Sequence, residues 1–242
     1  MACDINPEPM GQLSSAAKPA ANLQIRQLDV RDPVQWDALM QQAARLWPRI
    51  DTVMNVAGVM RAGSVEQITA ADVDVQLDIN CKGLIHGTQA AFRVMRNQAD
   101  QNGRGHIINI ASLAGITPIP GASLYSGSKF AVRGYSLSVV HELRKFGIAL
   151  TVVCPDAVAT PMVTPYHHKP EAALIFSGSR LLQTDEVVRA IVNVGLTKRP
   201  MELTMPKGRA WLAKLAGNWP ALAGMLVDTM INKGRKKQAA LP

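Results

Sequence analysis

Apolar positions in this chain fall into short runs separated by longer stretches with helical spacing. Residues 23–28, Leu-Gln-Ile-Arg-Gln-Leu, alternate apolar and polar, the mark of a half-exposed strand that Asp29 ends. Asp32-Pro33 is an N-cap followed by an N1 proline, so residues 34–46 read as a helix. Residues 50–56 form a buried strand running into Asn55-Val56-Ala57-Gly58. Thr69 or Asp72 caps a long helix that carries Val73, Leu77, Asn80, Leu84, Ala91 and Met95 and stops at the turn over 97–105. Residues 106–110, His-Ile-Ile-Asn-Ile, are a β-branched buried strand. A Gly- and Pro-rich loop follows, and Ser123 is placed to cap a helix that ends near Phe146-Gly147. Residues 148–154 are another apolar strand. Residues 155–184 are irregular, with a helical patch at 172–176. Thr184-Asp185-Glu186 caps a helix to Thr197, and 201–205 form a last strand. Residues 1–4 are a brief strand fragment ending in Asp4, and 5–21 read as loop.

Strand and helix alternate throughout, which implies a parallel sheet covered by helices on both faces. Ligands of such sheets sit at the carboxyl ends of the strands. Asp4, Asp29, Asn55, Ala57, Gly58, Ser112 and Pro155 all follow strands, so they line one edge. The 242 residues suit one domain, read as 1–205, with an extension at 206–242. Cys3, Cys81 and Cys154 are scattered, as free thiols of a reducing compartment would be. The first twenty residues lack a basic-then-apolar signal, which fits a cytoplasmic chain. The net charge is +8, but from Pro206 onward seven Lys or Arg stand against Asp228 alone, so +6 of it lies in the extension. That distribution argues against a nucleic-acid face on the domain.

Candidate chemistry centres on residues 112–129. Ser112 stands at a strand end. Tyr125 and Lys129 are four apart, on one face of the next helix. A phenol ionises near pH ~10, and an ammonium one turn away favours the phenolate. A tyrosine tuned in this way exchanges a proton with a carbonyl or alcohol oxygen. No third ligand accompanies His167-His168, so they read as solvated loop histidines and no metal is expected. Gly83 and Gly87 read as close helix-packing positions.

These residues resemble the short-chain dehydrogenase/reductase family over roughly residues 1–205. Asn80, Ser112, Tyr125 and Lys129 are similar, in order and spacing, to its catalytic group. Asn55-x-Ala57-Gly58, Asp29-Val30 and Pro155-x-x-Val158-x-Thr160 are similar to its cofactor-binding stretches. The resemblance implies a Rossmann-like, doubly wound, three-layer α/β/α fold. It implies hydride transfer between a nicotinamide and an alcohol or carbonyl carbon. Tyr125 would be the acid/base. Lys129 would lower its pKa and hold the nicotinamide ribose. Ser112 would position the substrate oxygen, and Asn80 would hold a water in a proton relay. It also implies a homodimer or homotetramer built on helices 72–97 and 123–146. Asp4, at the end of the strand fragment, would favour NAD over NADP by accepting from both ribose hydroxyls.

Three features depart from the family pattern. Val56 replaces an Asn, and Asp156 replaces a Gly and brings a negative charge towards the cofactor. The family's first strand and Gly-rich turn have no counterpart before Asp4, and Gly11 is the only glycine in residues 1–50. The expectation is a chain shortened at its N-terminus, with strand edges unpaired and weak dinucleotide binding. Two functions stay open: an oxidoreductase acting on a secondary alcohol or a carbonyl, and a non-catalytic relative unable to hold dinucleotide. The extension, apolar and flanked by basic residues, suits a membrane surface or a cover over a hydrophobic substrate entrance. It suits packing on its own domain equally.

Overall fold

The computed structural model describes residues 1–10, 23–99 and 103–240. The strands are β1 (Ala2–Asp4), β2 (Ile25–Gln27), β3 (Thr52–Asn55), β4 (Gly105–Ile110), β5 (Ile148–Pro155) and β6 (Glu202–Met205). The helices are α1 (Pro33–Leu46), α2 (Ala70–Leu77), α3 (Leu84–Met95), α4 (Ser123–Arg144), α5 (Thr184–Ala190), α6 (Lys207–Asn218) and α7 (Pro220–Gln238). All strand pairings are parallel.

The apolar runs at β4 and β5 form the buried centre of the sheet, with Ile107, Ile108, Leu150, Val152 and Val153 fully enclosed. A parallel sheet covered on both faces needs such continuous apolar strands. Helix α1 starts where Asp32 accepts from the Val34 and Gln35 amides, with Pro33 in the first turn. The cap of α2 is Thr69, in a reciprocal box with Asp72. Ser123 does not cap α4. Ala122 holds that position, and Ser126 instead accepts from the Ile119 amide and ties down the preceding loop. Thr184 is likewise the first residue of α5, and Gln183 caps it in a box with Glu186. Strand β3 is shorter than its apolar run because the Gln98 side chain takes both the amide and the carbonyl of Ile50.

The sheet is in two parts. One has the order β3-β4-β5-β6, the other pairs β1 with β2. Between β1 and β3 lies a cleft of about 500 Å³ walled by Cys3, Leu28, Trp36, Met40, Val53 and Asn55. Among the described residues, both flanking strand edges are unpaired. Gly83 and Gly87 are packing positions: a Cβ on Gly83 would lie 2.7 Å from Val30 Cγ2, and one on Gly87 would strike Asn55 Oδ1.

Candidate active site

Strand β4 ends at Ile110, and Ser112 then caps a single 3₁₀ turn, Leu113–Gly115, by accepting from the Ala114 amide. Gly115 touches the backbone of α4, where any Cβ would strike the Lys129 carbonyl oxygen. This close approach sets the Ser112 turn against the helix that carries Tyr125 and Lys129. Lys129 is buried, and its Nζ donates to the Ile110 carbonyl at 2.9 Å. The same Nζ lies 5.7 Å from the centre of the Tyr125 ring. Ser112 Oγ donates to the Pro155 carbonyl at 3.4 Å, which links the ends of β4 and β5.

Burial pushes the Tyr125 phenol up to about 12, against the downward pull of the Ser112 hydroxyl. The sequence had pointed the other way, to a phenol lowered by Lys129. Desolvation reverses it, because burial penalises the phenolate; burial also draws the lysine down to about 8. At neutral pH the phenol therefore holds its proton, ready to donate.

Asn80 does not sit in a regular helix. The backbone widens into a π turn over Asp78–Gly83, between α2 and α3, a feature frequent at functional sites. The Asn80 side chain accepts from the Val59 amide at 2.8 Å and donates to the Val59 carbonyl at 2.9 Å. Its second amide hydrogen goes to Ser128 Oγ at 3.0 Å, and Ser128 donates in turn to the Tyr125 carbonyl. The amide is thus used to pin the strand-end segment rather than left open for a water. Gln76 and Tyr166 hold the same segment: Gln76 Oε1 accepts from the Arg61 amide, and the Tyr166 hydroxyl donates to the Met60 carbonyl. Sequence reasoning missed Gln76, Ser128 and Tyr166, whose partners are distant in the chain. It also missed a buried network in which Asn55 Nδ2 donates to Asn109 Oδ1 at 2.8 Å and Asn109 Nδ2 to Ser136 Oγ at 3.0 Å. The one signal was a polar Asn109 inside an apolar strand.

The expected cofactor residues divide into two groups. Gly58 meets the Tyr125 group: a Cβ there would lie 3.3 Å from Asn80 Oδ1 and 3.7 Å from Lys129 Nζ. Pro155 joins it through Ser112, Val158 bridges to Leu182, and Thr160 Oγ1 bonds to the Val158 carbonyl. Ala57 is exposed beside them. Asn55, in contrast, turns inward to its network. Asp4 and Asp29 end the other sheet. Asp4 accepts from the Asn6 amide, and Arg31 clasps Asp29 at 2.6 Å and holds its carboxyl below the usual range. The Val30 carbonyl accepts from the Trp36 indole. The glycine-lined approach beside Lys129 fits a sugar and nicotinamide, whereas the described residues ahead of β2 contain no glycine to receive a pyrophosphate. Asp156 does not reach this edge: Arg209 of α6 takes its carboxylate at 2.5 Å. His167 is half-buried, edge-on to Phe176 at 5.4 Å, not a solvated loop residue. Among the described residues no three potential metal-binding side chains converge. An open cleft of about 970 Å³ lies between Gly58–Ala62 and the segment over 161–171.

The model of the short chain dehydrogenase family matches residues 1–171. A 3-alpha-(or 20-beta)-hydroxysteroid dehydrogenase of Mycobacterium bovis is 34% identical over 135 residues, 56% of this chain and 50% of that relative. An oxidoreductase of Penicillium decumbens, calM, is 35% identical over 156 residues, 63% of this chain and 51% of its own. The chain spans about half the length of these curated relatives. Among solved structures, ElxO with NADP bound superposes with a TM-score of 0.72 over 84% of this chain and 85% of that one, at 20% identity. A short-chain dehydrogenase from Streptomyces avermitilis gives 0.73 over 93% and 85%, at 22% identity. At such identities the likeness is one of fold.

Proposed function

The chain belongs to the short-chain dehydrogenase family, and from that premise we propose that it interconverts a secondary alcohol and a ketone or aldehyde. The observation that carries this reading is the grouping of Ser112 beside the Tyr125 phenol with the Lys129 ammonium 5.7 Å from the centre of its ring. A bound nicotinamide dinucleotide would supply the hydride. The chain's own groups supply orientation and the proton. The Tyr125 phenol, protonated at neutral pH, gives its proton to the substrate oxygen in reduction. The Ser112 hydroxyl holds the same oxygen. Lys129 and Gly58 border the space for the nicotinamide ribose, and Val158 and Thr160 border the carboxamide. Asn80 keeps the Gly58 segment in place through Val59.

Asp4 supports NAD as the preferred cofactor, because a carboxylate at this strand end accepts ribose hydroxyls and repels a 2′-phosphate. The outer faces of α3 and α4 suit pairing into a homodimer or homotetramer, which light scattering measures. The test of function is a titration of NADH and NADPH by nicotinamide fluorescence, followed by a panel of ketones and secondary alcohols read at 340 nm. Binding of NADH ahead of NADPH, with turnover, is the expected result. Binding of NADPH ahead of NADH removes the role given to Asp4. Absence of binding to either assigns the chain to the non-catalytic class.

A further inference from the structure

The basic extension does not stand apart from the domain. Helix α6 buries Ala210 and Ala213 in the domain core, and at two further points a glycine lets the helix pair meet the domain backbone. A Cβ on Gly217 would strike the Ile116 carbonyl oxygen, and one on Gly234 the Ala173 carbonyl oxygen. Between these contacts the helix pair and the domain border an open, apolar cavity of about 440 Å³, in which Trp219 and Leu226 remain more than half exposed. Its roof is Leu215, Trp219, Ala223 and Leu226, and its floor includes Leu113 and Ile119. Every lining residue is apolar except Thr117, Asp156 and Arg209. Cavities of roughly 300–1,000 Å³ with apolar walls and few polar groups hold small molecules.

We propose that this cavity is a binding site for a neutral, hydrocarbon-rich small molecule, a ring system or acyl chain carrying one hydroxyl or carbonyl. The charge state follows from the polar end. Arg209 Nε bonds to Asp156 Oδ2 at 2.5 Å and Nη2 donates to Ser177 Oγ at 2.9 Å, so the pair neutralises itself. Guanidinium donors remain for one neutral oxygen, while a ligand carboxylate would have to compete with Asp156. Neither Ser112 nor Tyr125 lines the cavity, and α6 and α7 lie beyond the matched residues 1–171. The site is therefore additional to the proposed dehydrogenase chemistry, and its test needs no turnover.

The probe is a pair of polyenes, cis-parinaryl alcohol and cis-parinaric acid, read by energy transfer from the four tryptophans, of which Trp219 lines the cavity, in the full chain without cofactor. The expected result is saturable 1:1 binding at micromolar concentration, with the alcohol at least fivefold tighter than the acid. Ala223→Trp, which fills the cavity, should weaken the alcohol at least tenfold with the far-UV circular dichroism unchanged. Met225→Ala, on an exposed position outside the cavity, should leave affinity within twofold. Equal affinity in Ala223→Trp, a loss in Met225→Ala, or tighter binding of the acid would overturn the proposal. Binding seen only with anionic phosphatidylserine vesicles would overturn it too, and make the helix pair a membrane contact instead.

Discussion

The two flanks of the sheet are built on the same parallel strands but to different standards. On the β4–β5–α4 flank nearly every group is enclosed and partnered: Lys129 on Ile110, Ser112 on Pro155, Asn109 on Ser136. On the β1–β3 flank a cleft separates two strand edges, and Met54 and Val56 stand exposed beside it. A proton-transfer group needs fixed partners, and the first flank supplies them through backbone contacts that only glycine permits. The second flank has three-residue strands with partly exposed side chains, so little holds it except the β1–β2 pairing and the packing of α1. The proposed acid/base site and the strand edge proposed for the cofactor therefore rest on unequal foundations.

The largest expected effect is on rate. Tyr125→Phe keeps the ring but removes the proton, and general acid–base catalysis is worth about 10²–10⁴-fold. Steady-state turnover should fall by that factor while thermal melting is unchanged, and near-native turnover would take Tyr125 out of the mechanism.

The next effect is on stability, and it comes from the closed flank. His106 is buried in β4 with Nε2 at 2.9 Å from Thr151 Oγ1. Thr151 spends its own hydrogen on the Pro200 carbonyl, so Nε2 is the donor and Nδ1 is bare. Burial, with the Arg199 charge, lowers the imidazole to about 4 from 6.5. Between those values the unfolded chain binds more protons than the folded one, so stability falls as pH drops from 6.5 to 4. The loss is roughly 3 kcal/mol. Urea unfolding at pH 7 and pH 4.5 should show it, and His106→Gln should remove most of the difference. An unchanged pH dependence in that variant would mean that other groups carry it.

Gly115→Ala adds a methyl against the Lys129 carbonyl and should cost about 1–3 kcal/mol. It should also lower turnover, because the Ser112 turn is pushed off α4. Denaturant midpoints measure the first effect, and a wild-type midpoint would show that the turn can shift freely. The smallest effect belongs to the open flank: Met54→Thr should change stability by no more than about 0.5 kcal/mol. A larger loss there would erase the contrast between the flanks.

Much of this was legible in the residues. The apolar runs gave β4 and β5 within a residue or two, and the strand-end serine with a tyrosine and lysine one turn apart located the candidate site. Asp32-Pro33 and Thr69 marked their helix starts correctly, whereas Ser123 and Thr184 were each one place late as caps. At α4 the cap position falls to Ala122 with no side-chain cap, and at α5 Gln183 takes it in a box with Glu186.

The sequence by itself determined what neighbours along the chain decide: element type, element order, the parallel sheet and the shared helical face of Tyr125 and Lys129. The tertiary structure alone decided what distant elements do to each other. It raised the Tyr125 phenol, because burial sums contacts from segments far apart in the chain. It took the Asp156 charge into a pair with Arg209 and spent the Asn80 amide on Val59. Periodicity reports which face of an element is apolar. The field and the partners at one atom are set by whatever the fold packs against it.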